Sequence, residues 1–274
     1  MTKRILNIVP LVSDRWNEMT RQALGSVRSP GFEYDVVNVT HGGMESIEGL
    51  YYIAVTVPYI VDRIIEAEQL GYDAVTSLCF GNPGVKEGRE MVDIPVIGAG
   101  EAALYTAMMC GERIGIVTVG ATYRSARHGA MLNEIRRMCI GHGIADRVVS
   151  YRTTGSTVEE CGAGGVFEEL RREAAAAIDD GADVIVLGCT GMVGMSTRLQ
   201  ESLQVPVIDP NLASVKYAEM LLSLGLSHSK LATPAPAMVG SQCVLKWPPT
   251  LRNQKDHASD SKASAPAAGV PASG

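Results

Sequence analysis

The sequence predicts an α/β protein made of two similar lobes, each with a parallel sheet, related by an approximate twofold axis. Short runs rich in Val and Ile alternate with helix-like patterns, which is typical of parallel sheets covered on both faces. A cysteine-containing segment occurs twice at an offset of 110 residues, which indicates that one α/β unit is duplicated. With 274 residues, the chain is long enough for two lobes that each bury a core.

The predicted strands and helices alternate along most of the chain. Strand-like runs fall at 4–9, 34–38, 73–79, 95–98, 113–118, 183–189 and 205–208. Helix-like patterns lie between them, at 14–26, 47–70, 100–111, 124–140, 166–180 and 211–224. Because proline cannot donate the hydrogen bond of a helix interior, Pro58 predicts a kink or a split within the second of these patterns.

The repeat is clearest around two cysteines. Segments 71–84 and 181–194 share Gly, Asp, Cys, Gly and Gly in register, and each runs through an apolar stretch to a cysteine and a glycine-rich turn. Any two strand-to-helix turns look somewhat alike, but three segments in register favour a duplication. Two further pairs recur in the same order at offsets of 109 and 111, namely 4–9 with 113–118 and 94–97 with 205–208.

The duplication predicts how the chain divides. We expect residues 1–101 together with 209–243 to form the first lobe, because 213–224 is predicted as one more helix that covers it. Residues 102–208 then form the second lobe. The last stretch, 244–274, is rich in Ala, Ser, Pro and Gly and has little to bury, so we expect a disordered tail.

Composition and charge exclude several classes of partner. With 24 basic and 30 acidic residues, the formal net charge of −6 argues against a nucleic acid or an anionic membrane as the main partner. No apolar run approaches the roughly 18 residues of a membrane span, and the first residues read as a strand and not as a signal peptide. The six cysteines are dispersed and form no Cys-x-x-Cys pair, so we expect reduced thiols in a cytoplasmic protein and no metal site.

Two of those cysteines are candidates for chemistry. Cys79 and Cys189 each end a predicted strand, and ligands of parallel α/β sheets bind at the carboxyl ends of strands. The following turns should begin helices, whose N–H groups lower the pKa of a nearby thiol and attract an anion. We therefore expect the two thiols to face each other across a cleft, as inversion of a carbon centre requires. The alternative interpretation is that both cysteines are buried residues that only pack in the core.

The motifs around these cysteines resemble those of a known family. The strings at 79–84, 92–103, 116–118 and 186–192 resemble the aspartate/glutamate/hydantoin racemase superfamily, most of all its hydantoin racemase branch. The resemblance covers roughly residues 3–230. It implies flavodoxin-like lobes with the active site in the cleft between them, no cofactor, and a homo-oligomer. It also implies a two-base mechanism, in which one cysteine removes a Cα proton and the other delivers one to the opposite face.

The sequence departs from the branch at one corner of the expected site. Val9-Pro10-Leu11 stands where the branch usually has Asn-Pro-Asn, so we expect a more apolar pocket there. Asn82 replaces the usual Asp after the first cysteine, which removes one negative charge. Phe80 and Thr190 follow the two cysteines, where the amino-acid racemases tend to have Asn and His, and this argues against free aspartate or glutamate as substrate.

These observations give a set of expected site residues. We expect Cys79 and Cys189 to be catalytic, and no metal or cofactor to bind. For Thr118 and Tyr123, a helix cap and a surface tyrosine are equally good interpretations. The residues expected to bind the substrate are Phe80, Gly81, Asn82, Thr118, Tyr123, Thr190 and Gly191.

The function that best fits the sequence is racemisation or epimerisation of a small molecule with a carbonyl-activated Cα–H, such as a 5-substituted hydantoin or a related ureide. Two other activities on the same scaffold stay open, namely a malonate-type decarboxylase and a maleate-type cis–trans isomerase. A non-catalytic binding protein is the third alternative, because fold alone does not establish function.

Overall fold

Two four-stranded parallel sheets form the framework of the protein, in a computed structural model that describes residues 2–39, 44, 46–120, 130–161 and 166–236. The strands are β1 (Lys3–Val9), β2 (Phe32–Asn38), β3 (Ala74–Ser77), β4 (Val96–Gly98), β5 (Ile114–Thr118), β6 (Val148–Thr153), β7 (Val184–Leu187) and β8 (Val207–Ile208). Their orders, β2-β1-β3-β4 and β6-β5-β7-β8, are the same topology twice. This confirms the predicted α/β fold of two similar parallel-sheet lobes.

Helices cover both sheets. In chain order they are α1 (Asn17–Val27), α2 (Leu50–Gln69), α3 (Val85–Met91), α4 (Ala99–Cys110), α5 (Ala130–Gly141), α6 (Val158–Cys161), α7 (Phe167–Asp179), α8 (Ser196–Leu203) and α9 (Pro210–Leu224). Pro58 lies inside α2, which continues through it, so the predicted split does not occur. Among the helices of the described segments, none has the length and apolar character that crossing a bilayer requires.

Helices α4 and α9 form a layer between the two sheets. They pack on each other. Helix α4 follows β4 of the first sheet but contacts β7 and β8 of the second, and α9 follows β8 of the second sheet but contacts β1, β3 and β4 of the first. One core cluster accordingly contains Ile5 and Ile97 of the first sheet together with Ile116 and Val186 of the second. The lobes therefore share a core. The division of the chain near residues 101 and 208 remains a prediction, and the tail from residue 244 lies outside the described residues.

The local sequence explains where α9 begins and ends. Asp209 is its N-cap, and the carboxylate accepts a hydrogen bond from the backbone N–H of Asn211 at 2.9 Å. Pro210 at the first helical position has no N–H that would need a partner. Gly225 ends the helix with a φ of 67°, in the left-handed region that glycine adopts without strain. This start places Asn211 beside the carboxyl end of the second sheet.

Candidate functional site

Cys79 and Cys189 occupy equivalent positions in the two sheets. Each lies two residues beyond the end of its strand, β3 or β7, and all four residues of both strands are buried. Each strand is paired on both sides, β3 with β1 and β4, and β7 with β5 and β8. The two thiols are therefore held at the carboxyl ends of rigid central strands. Cys79 is 9% exposed and Cys189 is half-buried.

Both cysteines line one cavity of about 70 Å³. This volume is several times the roughly 10–15 Å³ that one water needs, so it suits a small molecule and not a polymer. Besides the cysteines and two glycines, the polar lining residues are Thr20, Glu48, Thr118, Thr190 and Asn211. The apolar lining residues are more numerous: Val9, Pro10, Leu11, Trp16, Ile47, Leu78, Phe80, Val119, Met131 and Val158.

Several of the predicted substrate-binding residues meet in this cavity. Phe80, Thr118, Thr190 and Gly191 all line it, and they come from both halves of the chain. Tyr123 lies outside the described residues. The contacts that these residues make with a substrate remain predictions.

Asn82 and Gly81 have other neighbours. Asn82 adopts a left-handed backbone conformation, with a φ of 54°, and its side-chain oxygen accepts hydrogen bonds from the backbone N–H groups of Gly100 at 2.8 Å and Glu101 at 3.3 Å. The side chain thus caps the start of α4, and Asn82 is not among the residues that line the cavity. The backbone N–H of Gly81 donates to the Cys79 sulfur. A substrate contact by either residue remains a prediction.

Hydrogen bonds join the two cysteine turns across the cleft. The Thr190 hydroxyl donates to the backbone carbonyl of Leu78 at 3.0 Å, which connects the residue after one cysteine to the residue before the other. The Asn211 side chain donates to the Thr190 carbonyl at 3.0 Å and to the Asp209 carboxylate at 3.1 Å. The spacing of the two thiols is therefore fixed by contacts in which each half of the chain takes part.

The surroundings of Cys189 favour its thiolate. The thiol of Cys161 donates a hydrogen bond to the Cys189 sulfur, and this is the largest effect that lowers the Cys189 pKa below its usual value. Burial and the Glu48 carboxylate act in the opposite direction, while the backbone N–H groups of Gly191 and Met192 also donate to the sulfur. Three donors therefore converge on one sulfur and stabilise its negative charge.

The surroundings of Cys79 favour its thiol. Burial raises the pKa of Cys79 to about 12. The backbone N–H of Gly81, which donates to the Cys79 sulfur, acts in the opposite direction. A negative charge on Cys189 raises the Cys79 pKa further. Of the two, Cys189 therefore has the lower pKa and is the thiol that ionises first.

The sequence did not point to three residues of this site. Cys161, at the end of α6, is 1% exposed and lies beside Cys189. Glu48 accepts a hydrogen bond from the backbone N–H of Val158 at 2.9 Å, so it joins the segment before α2 to the start of α6 across the cleft. Trp16 lines the cavity and belongs to the same apolar cluster as Val9 and Leu11. Cys161 and Glu48 fall outside the repeated segments, which is why the repeat could not identify them.

Comparison with known proteins gives consistent matches over most of the chain. Residues 13–218 match the family described as Asp/Glu/Hydantoin racemase. A hydantoin racemase of Pseudomonas sp. (strain NS671) is 37% identical over 195 residues, which cover 70% of this chain and 75% of that protein. One of Paenarthrobacter aurescens is 33% identical over 234 residues, which cover 83% and 94%. The structure of an allantoin racemase from Klebsiella pneumoniae superposes with a TM-score of 0.80 at 32% identity, covering 89% of this chain and 98% of that chain.

Proposed function

Because the chain belongs to the Asp/Glu/hydantoin racemase family, we propose that it is a cofactor-independent racemase that uses Cys79 and Cys189 as opposed acid and base. One observation carries this proposal: both thiols line the same small cavity, and their surroundings push their pKa values in opposite directions. Two titratable groups whose pKa values are shifted in opposite directions are suited to accept and donate a proton in the same reaction.

In the proposed mechanism, the Cys189 thiolate removes the Cα proton of one enantiomer. The C–H electron pair passes into the neighbouring carbonyl and forms an enolate, and the Cys79 thiol then delivers its proton to the opposite face of the carbon. The enzyme is left with a thiol at Cys189 and a thiolate at Cys79. That state is competent for the reverse reaction, and exchange of protons with solvent restores the resting form.

The lining of the cavity favours an uncharged substrate. Among the described lining residues there is no lysine, arginine or histidine, and the charged side chain present is the Glu48 carboxylate. A free amino acid or a malonate would bring its own carboxylate into a site whose described lining residues offer it no counter-ion, which is costly. A 5-substituted hydantoin is neutral and has an acidified Cα–H. The apolar Val9 and Leu11 further favour an apolar 5-substituent.

The test is exchange of the Cα proton in D2O, followed by NMR with optical rotation measured in parallel. Single enantiomers of 5-benzylhydantoin, 5-isopropylhydantoin and allantoin would be compared with aspartate, glutamate and phenylmalonate, and protein-free samples would correct for spontaneous racemisation. We expect loss of the proton signal and of the rotation on at least one hydantoin and on neither amino acid. Decarboxylation of phenylmalonate without exchange on any hydantoin would overturn the proposal and favour the decarboxylase alternative.

Removal of the Cys161 thiol should shift the pH dependence of Cys189. In Cys161→Ala, the donor to the Cys189 sulfur is lost, so we expect alkylation of Cys189 by iodoacetamide at pH 7 to slow about tenfold, since a charge-assisted hydrogen bond contributes roughly 1.5–3 kcal/mol. The rate should recover at higher pH. Among the described residues, the other groups that bear on this titration are Glu48 and Cys79, which face Cys189, and Glu160, which acts on Cys161.

Two variants control this measurement. Cys161→Ser keeps an O–H donor and should remain close to the unaltered protein. Cys139→Ala removes a thiol that is equally buried but does not line the cavity, and it should leave the pH profile of Cys189 alkylation unchanged. An unchanged profile in Cys161→Ala would show that Cys161 does not stabilise the thiolate.

A further inference from the structure

Trp16 has a buried hydrogen-bond donor that meets no acceptor among the described residues. The residue is 4% exposed and lines the cavity. Its indole Nε1–H has no acceptor in the part of the chain that the structure describes. Because buried donors in native proteins nearly always find a partner, such a group at the wall of a cavity indicates that a bound molecule supplies the acceptor.

The position of this N–H relative to the thiolate limits what the acceptor can be. A Cβ atom placed on Gly191 would lie 3.4 Å from Trp16 Nε1 and 3.5 Å from Cys189 Sγ. The donor and the sulfur thus flank the same point. A carbon whose proton the sulfur removes lies roughly 3.5 Å from the sulfur, and the oxygen of a carbonyl attached to that carbon is two bonds further on. The indole N–H can therefore reach the oxygen of a carbonyl attached to the reacting carbon.

The backbone amides of the cysteine turns and the hydroxyls of Thr118 and Thr190 already have protein partners. The backbone N–H groups of the glycine turns donate to the two sulfurs. The hydroxyl of Thr118 donates to the Gly188 carbonyl at 2.8 Å, and that of Thr190 donates to the Leu78 carbonyl at 3.0 Å. The corner formed by residues 9–11 presents apolar side chains to the cavity. Charge that develops on a substrate oxygen consequently needs a further donor.

We propose that the Trp16 indole N–H donates a hydrogen bond to the carbonyl oxygen next to the reacting carbon and stabilises the enolate formed there. This inference rests on the proposed racemase function and adds a catalytic residue to it. No proton is transferred from the indole; the hydrogen bond strengthens as negative charge builds on the oxygen. The role suits a substrate with a carbonyl beside an acidified C–H, and it places a polar contact at an otherwise apolar corner.

The test is Trp16→Phe, which keeps a ring in the cavity wall and removes the N–H. We expect kcat/KM on the best hydantoin substrate to fall about 10²-fold, mostly through kcat, because the interaction strengthens in the transition state. The Tm of the ligand-free protein should stay unchanged or rise, because a buried donor without an acceptor is removed. A purely structural tryptophan would instead give a lower Tm.

A modified substrate separates the hydrogen bond from packing. Replacing the carbonyl next to the reacting carbon by a thiocarbonyl weakens the acceptor, so the rate ratio between the unaltered protein and Trp16→Phe should shrink towards one. Val119→Ala, which removes lining surface but no donor, should keep the oxo-to-thio rate ratio of the unaltered protein. A kcat within twofold in Trp16→Phe would overturn this inference alone. An unaltered protein that racemises no hydantoin would overturn the proposed function and this inference with it.

Discussion

Replacement of Cys79 or Cys189 by serine is expected to lower kcat/KM for racemisation by about 10³-fold or more in either direction, since a positioned acid or base contributes roughly 10²–10⁴-fold. A serine hydroxyl does not ionise near neutral pH, so it cannot act as the base that each direction requires. The exchange of sulfur for oxygen changes the side-chain volume little. Far-UV circular dichroism and Tm should therefore stay close to those of the unaltered protein while racemisation is lost.

The two variants should differ in a way that a merely structural role would not produce. Cys79→Ser keeps the Cys189 thiolate, which can remove a proton from one enantiomer and return solvent deuterium to the same face. We expect Cα exchange of that enantiomer without loss of rotation. Cys189→Ser keeps only Cys79, whose pKa burial raises to about 12, so exchange of the opposite enantiomer should be slow at pH 7 and increase with pH. NMR exchange and polarimetry on both enantiomers separate these outcomes.

Two other cysteines provide the controls. Cys110 is exposed at the end of α4 and Cys139 is buried, and neither lines the cavity. Their serine variants should racemise at nearly the rate of the unaltered protein. If either Cys79→Ser or Cys189→Ser also racemised at that rate, the two-base assignment would be wrong.

The repeat made much of the fold predictable. It placed Cys79 and Cys189 at matched strand ends and implied two sheets of the same topology, which the strand orders confirm. Strand β6 was not predicted, because Val148–Thr153 mixes apolar and polar residues as an edge strand does, and only Val148 and Ser150 are buried. Its counterpart β2 was predicted, so extending the repeat through the second half would have found it.

Cys161 and Trp16 could not be predicted, for a physical reason. Cys161 meets Cys189 only because α6 packs beside the second cysteine turn, which is a tertiary contact that no local pattern encodes. At the repeat offset of 110, its counterpart in the first half is Tyr51, so the repeat gives no signal there. Trp16 was likewise identified because its indole N–H has no acceptor among the described residues, which only the folded structure reveals. The surroundings of the two thiols therefore differ at positions where the two halves of the chain do not repeat each other.

Another such difference lies at the start of α4 and α9. Gly100 and Asn211 occupy the corresponding second positions of these helices, and each faces the carbonyl of the residue after a cysteine. Asn211 donates its side-chain amide to the Thr190 carbonyl at 3.0 Å. A Cβ atom at Gly100 would instead lie 1.9 Å from the Phe80 carbonyl oxygen. In the first half, the backbone of α4 therefore lies directly against the backbone of the cysteine turn. In the second half, the Asn211 side chain fills the space between α9 and the turn.

Gly100→Ala is accordingly expected to destabilise the protein by about 3 kcal/mol and to reduce racemisation strongly. Overpacking a tight contact costs roughly 1–3 kcal/mol, and here the atom that would have to move belongs to the backbone of the Cys79 turn. The added methyl would also lie 3.2 Å from the Asn82 oxygen, whose hydrogen bonds cap α4 and contribute about another 1 kcal/mol. Displacement of Phe80 would carry Cys79 away from the cavity. Urea unfolding and the polarimetric assay measure the two effects.

Gly25→Ala is the matched control for this prediction. Gly25 lies in α1, and nothing stands within 4 Å of the Cβ atom that alanine would add. The same substitution should there stabilise the protein by about 0.5–1 kcal/mol, because alanine loses less backbone entropy than glycine on forming a helix. Activity should not change. If Gly100→Ala were as stable and active as Gly25→Ala, the close approach of α4 to the Phe80 carbonyl would not be what holds the first thiol in place. If Gly100→Ala instead destabilises the protein while Gly25→Ala stabilises it, the stability of the first cysteine turn depends on the absence of a methyl group at residue 100.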